Sequence, residues 1–331
     1  MKLKAVNNNA LAELWVLTIL CVASLFTPAY ASDEATEVSG DLMVFHAGSL
    51  AVPFRAVAEA FEKEYPKVRV LREAAGSRAC ARKISDLDRE CDVFGSADYT
   101  VIDTLLIPEH AGWNIRFAAN EMVIAYTEES RRAGEINGEN WHRILLDEKV
   151  AYGRSDPNAD PCGYRTVLTA KLAAIHYGDP GLAARLQEKD RRHIRPKETD
   201  LLALLEVGEI DYVFIYRSVA RQHGLKWVEL PDEINLKSPA MADFYKKATV
   251  EISGQTPGSV ITKVGAPMVY GVTIPKSARN PKAALAFLTF LLESDKGMAI
   301  MEDNGQPSLV PAFSDSYADI PAPLKKFAVG P

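Results

Sequence analysis

The residues able to do chemistry in this chain gather where a strand-like run ends and a helix begins. The most distinctive is the run Asp160, Pro161, Cys162, Gly163, Tyr164, Arg165. Asp160 is placed to N-cap the helix that follows. Pro161 suits its first turn, because the N–H it lacks would be unpaired there. Gly163 leaves the nearby backbone uncovered, so a ligand can approach it closely. A helix start of this kind offers N–H groups and the positive end of the dipole, which suits an anion. Gly48-Ser49, and Ser77 after Ala75-Gly76, have the same strand-to-helix setting. Both serines are expected as N-caps, and each can offer a hydroxyl and a backbone N–H to a small oxyanion. Plain capping is the alternative role for each.

Two acids complicate an anion site. Asp160 and Glu198 carry charge that should repel such a ligand. Capping explains Asp160, and a first-turn position favoured by the dipole explains Glu198. The functional alternative is that both carboxylates coordinate a metal centre directly, since a hard, highly charged centre accepts carboxylate oxygen. Tyr216 ends a predicted strand, so its hydroxyl can reach the same cleft, and packing at the surface is its alternative.

The elements that must position these groups alternate. Strands are expected at 42–46, 68–71 and 92–95, with helices from Leu50 (Phe54, Val57, Ala58 and Phe61 on one face) and from Ser77 (Ala81, Ile84, Leu87) between them. This β-α-β-α-β order predicts a parallel sheet with helices on both faces. A longer strand at 122–126 precedes a second, similar series. It has a strand at 150–153, a helix with Tyr164, Leu168, Leu172 and Ile175, a helix with Leu201, Leu202, Leu204 and Leu205, and strands at 212–215 and 226–230. The strand at 268–274 and the long helix from Pro281 through Leu292 resemble the outer layer of the first series. Two lobes joined by two crossovers account for this. The chain leaves lobe one near Ala119 and returns near Val272, giving lobe one as 38–118 plus 272–331 and lobe two as 119–271. The stretch 253–264 reads as an exposed hairpin or loop.

Composition bounds the partners. Residues 1–31 read as a secretory signal: Lys2 and Lys4, an apolar core at 14–26, and a small-x-small site at Ala29-Tyr30-Ala31. Cleavage there leaves 300 of the 331 residues and moves the formal net charge from −6 to −7, because Lys2, Lys4 and Glu13 are removed. No broad basic field for nucleic acid remains. Three cysteines then remain, Cys80, Cys91 and Cys162. A Cys80–Cys91 bridge and three buried thiols both stay open. The six histidines show no i, i+4 pair and no zinc spacing.

The segments 46–50, 75–77, 96–99, 155–165, 195–200, 211–218 and the closing run 305–311 resemble the archaeal-type tungstate/molybdate-binding proteins of ABC importers. The resemblance covers nearly the whole mature chain and is most specific at 160–165, 195–198 and 214–218. It implies an α/β, type II periplasmic-binding-protein fold, with two doubly wound lobes joined by two crossover strands. It implies an oxyanion held between the lobes by Gly48, Ser49, Ser77, Asp160, Pro161, Cys162, Glu198 and Tyr216. Asp160 and Glu198 would bond directly to tungsten or molybdenum and expand it to six-coordinate. Glu206 and Glu209 are the alternatives to Glu198, because the chain is shorter than some members between Leu186 and Arg195. No cofactor is implied beyond the tungstate or molybdate ligand. The implied partner is an ABC permease in the membrane, for a monomeric protein in the periplasm or another extracytoplasmic space.

Two other readings compete. A ferric-iron receptor would use Tyr212 and Tyr216, four apart on one strand, since phenolates suit Fe(III). A secreted serine hydrolase would use Ser49 with His46, three residues apart around a turn, although no Gly-x-Ser-x-Gly elbow is present.

Overall fold

The computed structural model of the chain describes residues 38–256 and 258–331. The expected signal sequence lies outside them. The main strands are β1 Gly40–Ala47, β2 Val68–Ala75, β3 Val93–Ser96, β4 Ile115–Ala119, β5 Met122–Tyr126, β6 Tyr152–Ser155, β7 Ile194–Arg195, β8 Tyr212–Tyr216, β9 Lys226–Glu229, β10 Thr249–Ser253, β11 Val260–Val264 and β12 Val269–Thr273. Their side chains alternate between two apolar layers. Leu42 and Val44 enter one cluster with Phe54, Phe61 and Phe287. Phe45 and Phe94 enter another with Cys80, Ile84, Val101 and Leu105. This is the period-two pattern of a sheet covered on both faces.

The first sheet runs β2-β1-β3-β12-β4 and the second β7-β6-β8-β5-β9. β1 is parallel to β2 and β3, while β12 is antiparallel to β3 and β4. The second sheet repeats the scheme. β6 is parallel to β7 and β8, and β5 is antiparallel to β8 and β9. Each sheet is thus mixed rather than wholly parallel, because each takes in one strand that has just crossed from the other and enters in the opposite direction. Only Asn120 and Glu121 separate β4 from β5. The return crossing precedes Val269, since β12 pairs with β4 from Val269 onward.

The helices follow the predicted faces with two exceptions, one being Leu87, which lies beyond the end of helix Ser77–Ser85 and is exposed. Tyr164, Leu168 and Leu172 of helix Pro161–His176 are buried, but Ile175 is 46% exposed. The last turn of that helix has left the core. Helix Pro281–Leu292 starts where expected, with Asn280 Oδ1 accepting from the Ala283 N–H at 3.2 Å. The 253–264 stretch closes a true hairpin, as β10 and β11 pair antiparallel from Thr249↔Val264 to Ser253↔Val260. Cys80, Cys91 and Cys162 are free, buried thiols. Among the described residues no helix is long and apolar enough to cross a membrane.

The aromatic layer of the first sheet is tightly connected. Phe287 meets Phe54 and Phe61 edge-on at 6.3 and 5.3 Å, and Phe61 stacks on Tyr65 at 4.6 Å. Removing the ring at the centre leaves a cavity that its neighbours cannot fill. Phe287→Ala is expected to cost about 3–5 kcal/mol. Leu87→Ala, at a site 68% exposed, should change stability by less than about 0.5 kcal/mol. Denaturant unfolding of both variants checks the contrast.

Candidate functional site

Neither predicted serine cap forms. A 3-10 turn, Gly48–Leu50, intervenes before helix Ala51–Glu64, so Leu50 occupies the cap position with no side-chain bond. Ser77 is the first residue of helix Ser77–Ser85, behind Gly76. Both hydroxyls are therefore free of capping, and both are buried. Ser77 Oγ accepts from the Ala97 N–H at 2.9 Å, and Ser49 Oγ accepts from the Tyr270 hydroxyl at 3.0 Å.

Asp160 does cap helix Pro161–His176, with Oδ1 accepting from the Cys162 N–H at 3.3 Å. Its Oδ2 accepts from the Glu198 N–H at 3.1 Å. The Gly163 N–H is bonded to the Asp160 carbonyl at 3.0 Å. The first N–H groups of this helix are thus already used within the protein. Pro161 contributes shape only, and the Cys162 thiol turns to the Phe214 carbonyl at 3.6 Å. Gly163 does not open a path for a ligand. A Cβ there would stand 2.5 Å from Asp156 C and Pro157 N, so the missing side chain makes room for the chain's own loop.

The second carboxylate lies against the first. Glu198, first residue of the 3-10 turn Glu198–Leu201, is buried, and neither of its carboxylate oxygens has a hydrogen-bond partner among the described residues. Glu206 and Glu209 are exposed and stand apart from this place. Burial and the neighbouring Asp160 charge push the Glu198 carboxyl well above its ordinary range. Asp160 is also raised, by burial, despite the hydrogen bonds it accepts. Ser155 stands close enough to lower Asp160 without making a well-formed hydrogen bond.

These groups meet the first lobe directly. A Cβ on Gly48 would lie 3.1 Å from Glu198 Oε2 and 3.0 Å from Thr199 Oγ1. A Cβ on Gly76 would lie 2.4 Å from the Ala159 carbonyl. The Ala79 N–H donates to that same carbonyl at 3.2 Å. Two glycines therefore allow the lobes to touch. Tyr216 is buried, and burial raises its pKa well above the usual value. Its hydroxyl accepts from Arg165 at 2.9 Å, and the same guanidinium nitrogen donates to the Ala97 carbonyl at 2.7 Å. All eight predicted residues thus fall in one continuous buried region. Arg165, Tyr270, Asn120 and Asp98 belong to it as well, although sequence reasoning gave them no role. The usable signal for Arg165 was a charged residue in the first, mostly apolar turns of a helix, which must find buried partners.

Outside this centre a ring of charge ties the lobes. Asp98 caps helix Tyr99–Leu105 through Thr100 N–H at 3.0 Å, and accepts from Lys263 at 3.1 Å and from the Tyr164 hydroxyl. Burial opposes its charge, but Lys263 and Arg165 hold the carboxyl far below its ordinary range. A cavity of about 310 Å³ lined by Asp98, Thr100, Tyr164, Arg165 and Lys263 borders the site.

The competing chemistries do not assemble. The Tyr212 hydroxyl donates to the Arg131 carbonyl at 2.7 Å, at the other end of β8 from Tyr216. His46 Nδ1 donates to the Ala47 carbonyl at 2.8 Å, and burial drives its pKa down to about 4. No hydrogen bond joins His46 to Ser49 among the described residues, since Ser49 Oγ faces Tyr270.

Two mixed sheets exchanging crossover strands around a buried polar cleft define a two-lobe solute receptor. Residues 42–306 match the family model for bacterial extracellular solute-binding proteins, and this chain belongs to that family. It is 53% identical over 297 residues to an uncharacterized solute-binding protein of Petrotoga mobilis, covering 89% of this chain and 92% of the relative. It is 43% identical over 319 residues to the molybdate/tungstate-binding protein WtpA of Pyrococcus abyssi, covering 88% and 91%. The periplasmic molybdate-binding protein of Azotobacter vinelandii shares the fold, with a TM-score of 0.59 at 17% identity over 80% of this chain and 98% of that one.

The raised carboxyls fix the sign of a pH effect. A carboxyl held above its unfolded value favours the folded state fully at low pH, and that contribution is lost as pH climbs through the raised value. The ligand-free protein should lose thermal stability as pH rises above the ordinary carboxyl value of 4.5, and Glu198→Gln should flatten that slope. Melting curves across pH test this, and parallel slopes would reject it. Gly76→Ala should keep the fold but hold the lobes apart, which small-angle scattering would record as a larger radius of gyration.

Proposed function

We propose that this protein is an extracytoplasmic receptor that captures tungstate or molybdate between its lobes and delivers it to an ABC permease in the membrane. The observation that carries this reading is the meeting of Asp160 and Glu198, with the unpartnered oxygens of Glu198 against Gly48. Two touching buried carboxylates are a poor site for an anion that is only an anion. They suit an oxyanion whose centre is an electropositive metal able to accept two further oxygens. The names of the Pyrococcus abyssi and Thermococcus kodakarensis relatives, both molybdate/tungstate-binding proteins, agree with this.

The roles follow from position. Ser49 and Ser77 donate to the oxo groups from lobe one, and Gly48 lets the metal centre and Glu198 come close. Asp160 and Glu198 bind the metal from lobe two, with Pro161 and Cys162 holding the turn that aims Asp160. Tyr216, fixed by Arg165, closes the side of the site. Sulfur does not expand its coordination to take two carboxylates, so sulfate would leave both acids buried and unpaired. The lobes hinge at Asn120 and Glu121 and at the return before Val269. This is a binding protein and not an enzyme, exported by a cleaved signal, working as a monomer without nucleic acid.

Calorimetric titration of the protein from Ser32 onward with tungstate, molybdate and sulfate tests the reading. Tight one-to-one binding of the first two and silence for sulfate is expected. Glu198→Gln should weaken tungstate by about 2–5 kcal/mol, the range for removing one partner of a buried charged contact. Equal binding of sulfate would reject metal coordination by the two acids, and silence for all three would reject the receptor.

A further inference from the structure

Ser49 is not a free hydroxyl. It ends a buried hydrogen-bond chain that starts at the hinge. Asn120 sits between β4 and β5, where the chain passes from one lobe to the other. Its Oδ1 accepts from the Glu121 N–H at 2.9 Å and from the Ser218 N–H at 3.4 Å. Backbone N–H groups can only donate, so the amide has one orientation. Its nitrogen must then face the Ser218 hydroxyl at 2.7 Å and the Tyr270 hydroxyl at 2.9 Å.

That orientation sets the direction of the next bond along the chain. The Asn120 nitrogen has no lone pair to offer, so Tyr270 accepts from it. Tyr270 donates to Ser49 Oγ at 3.0 Å, with the Gln306 amide as its other polar neighbour. Ser49 therefore accepts from Tyr270, and its own proton points elsewhere. The Ser49 carbonyl is held in turn by Gln306 Nε2 at 3.0 Å. Asn120, Tyr270, Ser49, Ser218 and Gln306 are all at most 5% exposed, so water does not scramble the chain.

We propose that Tyr270 and Asn120 are positioning residues that make Ser49 an obligatory hydrogen-bond donor to the bound oxyanion. The inference rests on the reading of Ser49 as an oxyanion contact. The Glu121 and Ser218 N–H groups set the polarity at the crossover, and the chain Asn120 to Tyr270 to Ser49 carries it to the ligand. A serine oriented in this way offers its proton to an oxo group at no reorientation cost. The same amide bonds Ser218 of lobe two, so the donor direction is set by a residue that also ties the lobes together.

The test is a double-mutant cycle on tungstate affinity with Tyr270→Phe, Ser49→Ala and their combination. Tyr270→Phe conserves the ring, and Asn120 keeps Ser218 as a partner. Each single change is expected to weaken tungstate by roughly tenfold. The combination should be no weaker than Ser49→Ala alone, because Tyr270 acts only through Ser49. A residue of merely structural value would give losses that multiply, and that result would overturn the proposal. Asn120→Asp is the second variant. A carboxylate accepts where the amide donates, so Tyr270 turns its proton to it and draws the Ser49 proton inward. Tungstate affinity should fall roughly tenfold with Ser49 intact, and unchanged affinity would again overturn the chain. Wild-type binding with an unaffected Ser49→Ala would sink this proposal and leave the receptor standing. Wild-type silence would sink the receptor itself.

Discussion

Two carboxylates share one buried place, and the rest of the site is arranged around that contact. Like charges brought together away from water are costly, and neither acid can be read in isolation. The two are not equivalent. Asp160 accepts one backbone bond on each oxygen, from Cys162 and from Glu198 itself, and each oxygen keeps a further lone pair. Glu198 accepts nothing among the described residues. The donor that Asp160 takes from the Glu198 backbone locks the turn at Glu198–Leu201 to the helix start at Pro161. The pair therefore moves as one unit, with one acid oriented and the other open to a partner.

The opposite lobe answers this unit with very little side chain. Gly48 and Gly76 face it, and the nearest serines carry hydroxyls that no helix end consumes. The positive charge of Arg165 is held back from the acids. Burial works against that charge, yet the Tyr216, Asp98 and Tyr164 oxygens raise its pKa. The guanidinium reaches the Ala97 carbonyl, Tyr216 and the ring of charge near Asp98. A cation placed directly on Glu198 would neutralise the very group that is left unpartnered.

Much of this was legible in the chain and some was not. The Asp-Pro pair announced a capped helix start because both residues have strong local reasons to be there. Leu42, Val44 and Phe45 announced a strand buried on two faces. Strand direction was not legible, since nothing local tells β5 or β12 that it will run against its neighbours. Ser49 and Ser77 were placed in the right region with the wrong local role, because a three-residue 3-10 turn and a one-residue offset moved the caps to Leu50 and Gly76. Gly163 shows the same limit. A glycine signals close approach but does not say whether ligand or backbone arrives. Tyr270 and Asn120 stayed hidden because their meaning lies in contacts 221 and 150 residues apart in the chain.

The β10–β11 hairpin adds one more consequence. Lys263 on one strand grips Asp98 and Thr100, while Arg82 reaches Gly254 and Ser253 and Arg78 reaches Ser253, all across the gap between lobes. None of these bonds involves the acids or Ser49. The contacts that join the hairpin to the first lobe and the buried pair of carboxylates are therefore separate sets of residues. The Lys263 and Asp98 side chains are only 11% and 10% exposed, so salt screens this grip weakly, and a change at the hairpin alters the contact between lobes without touching the buried acids.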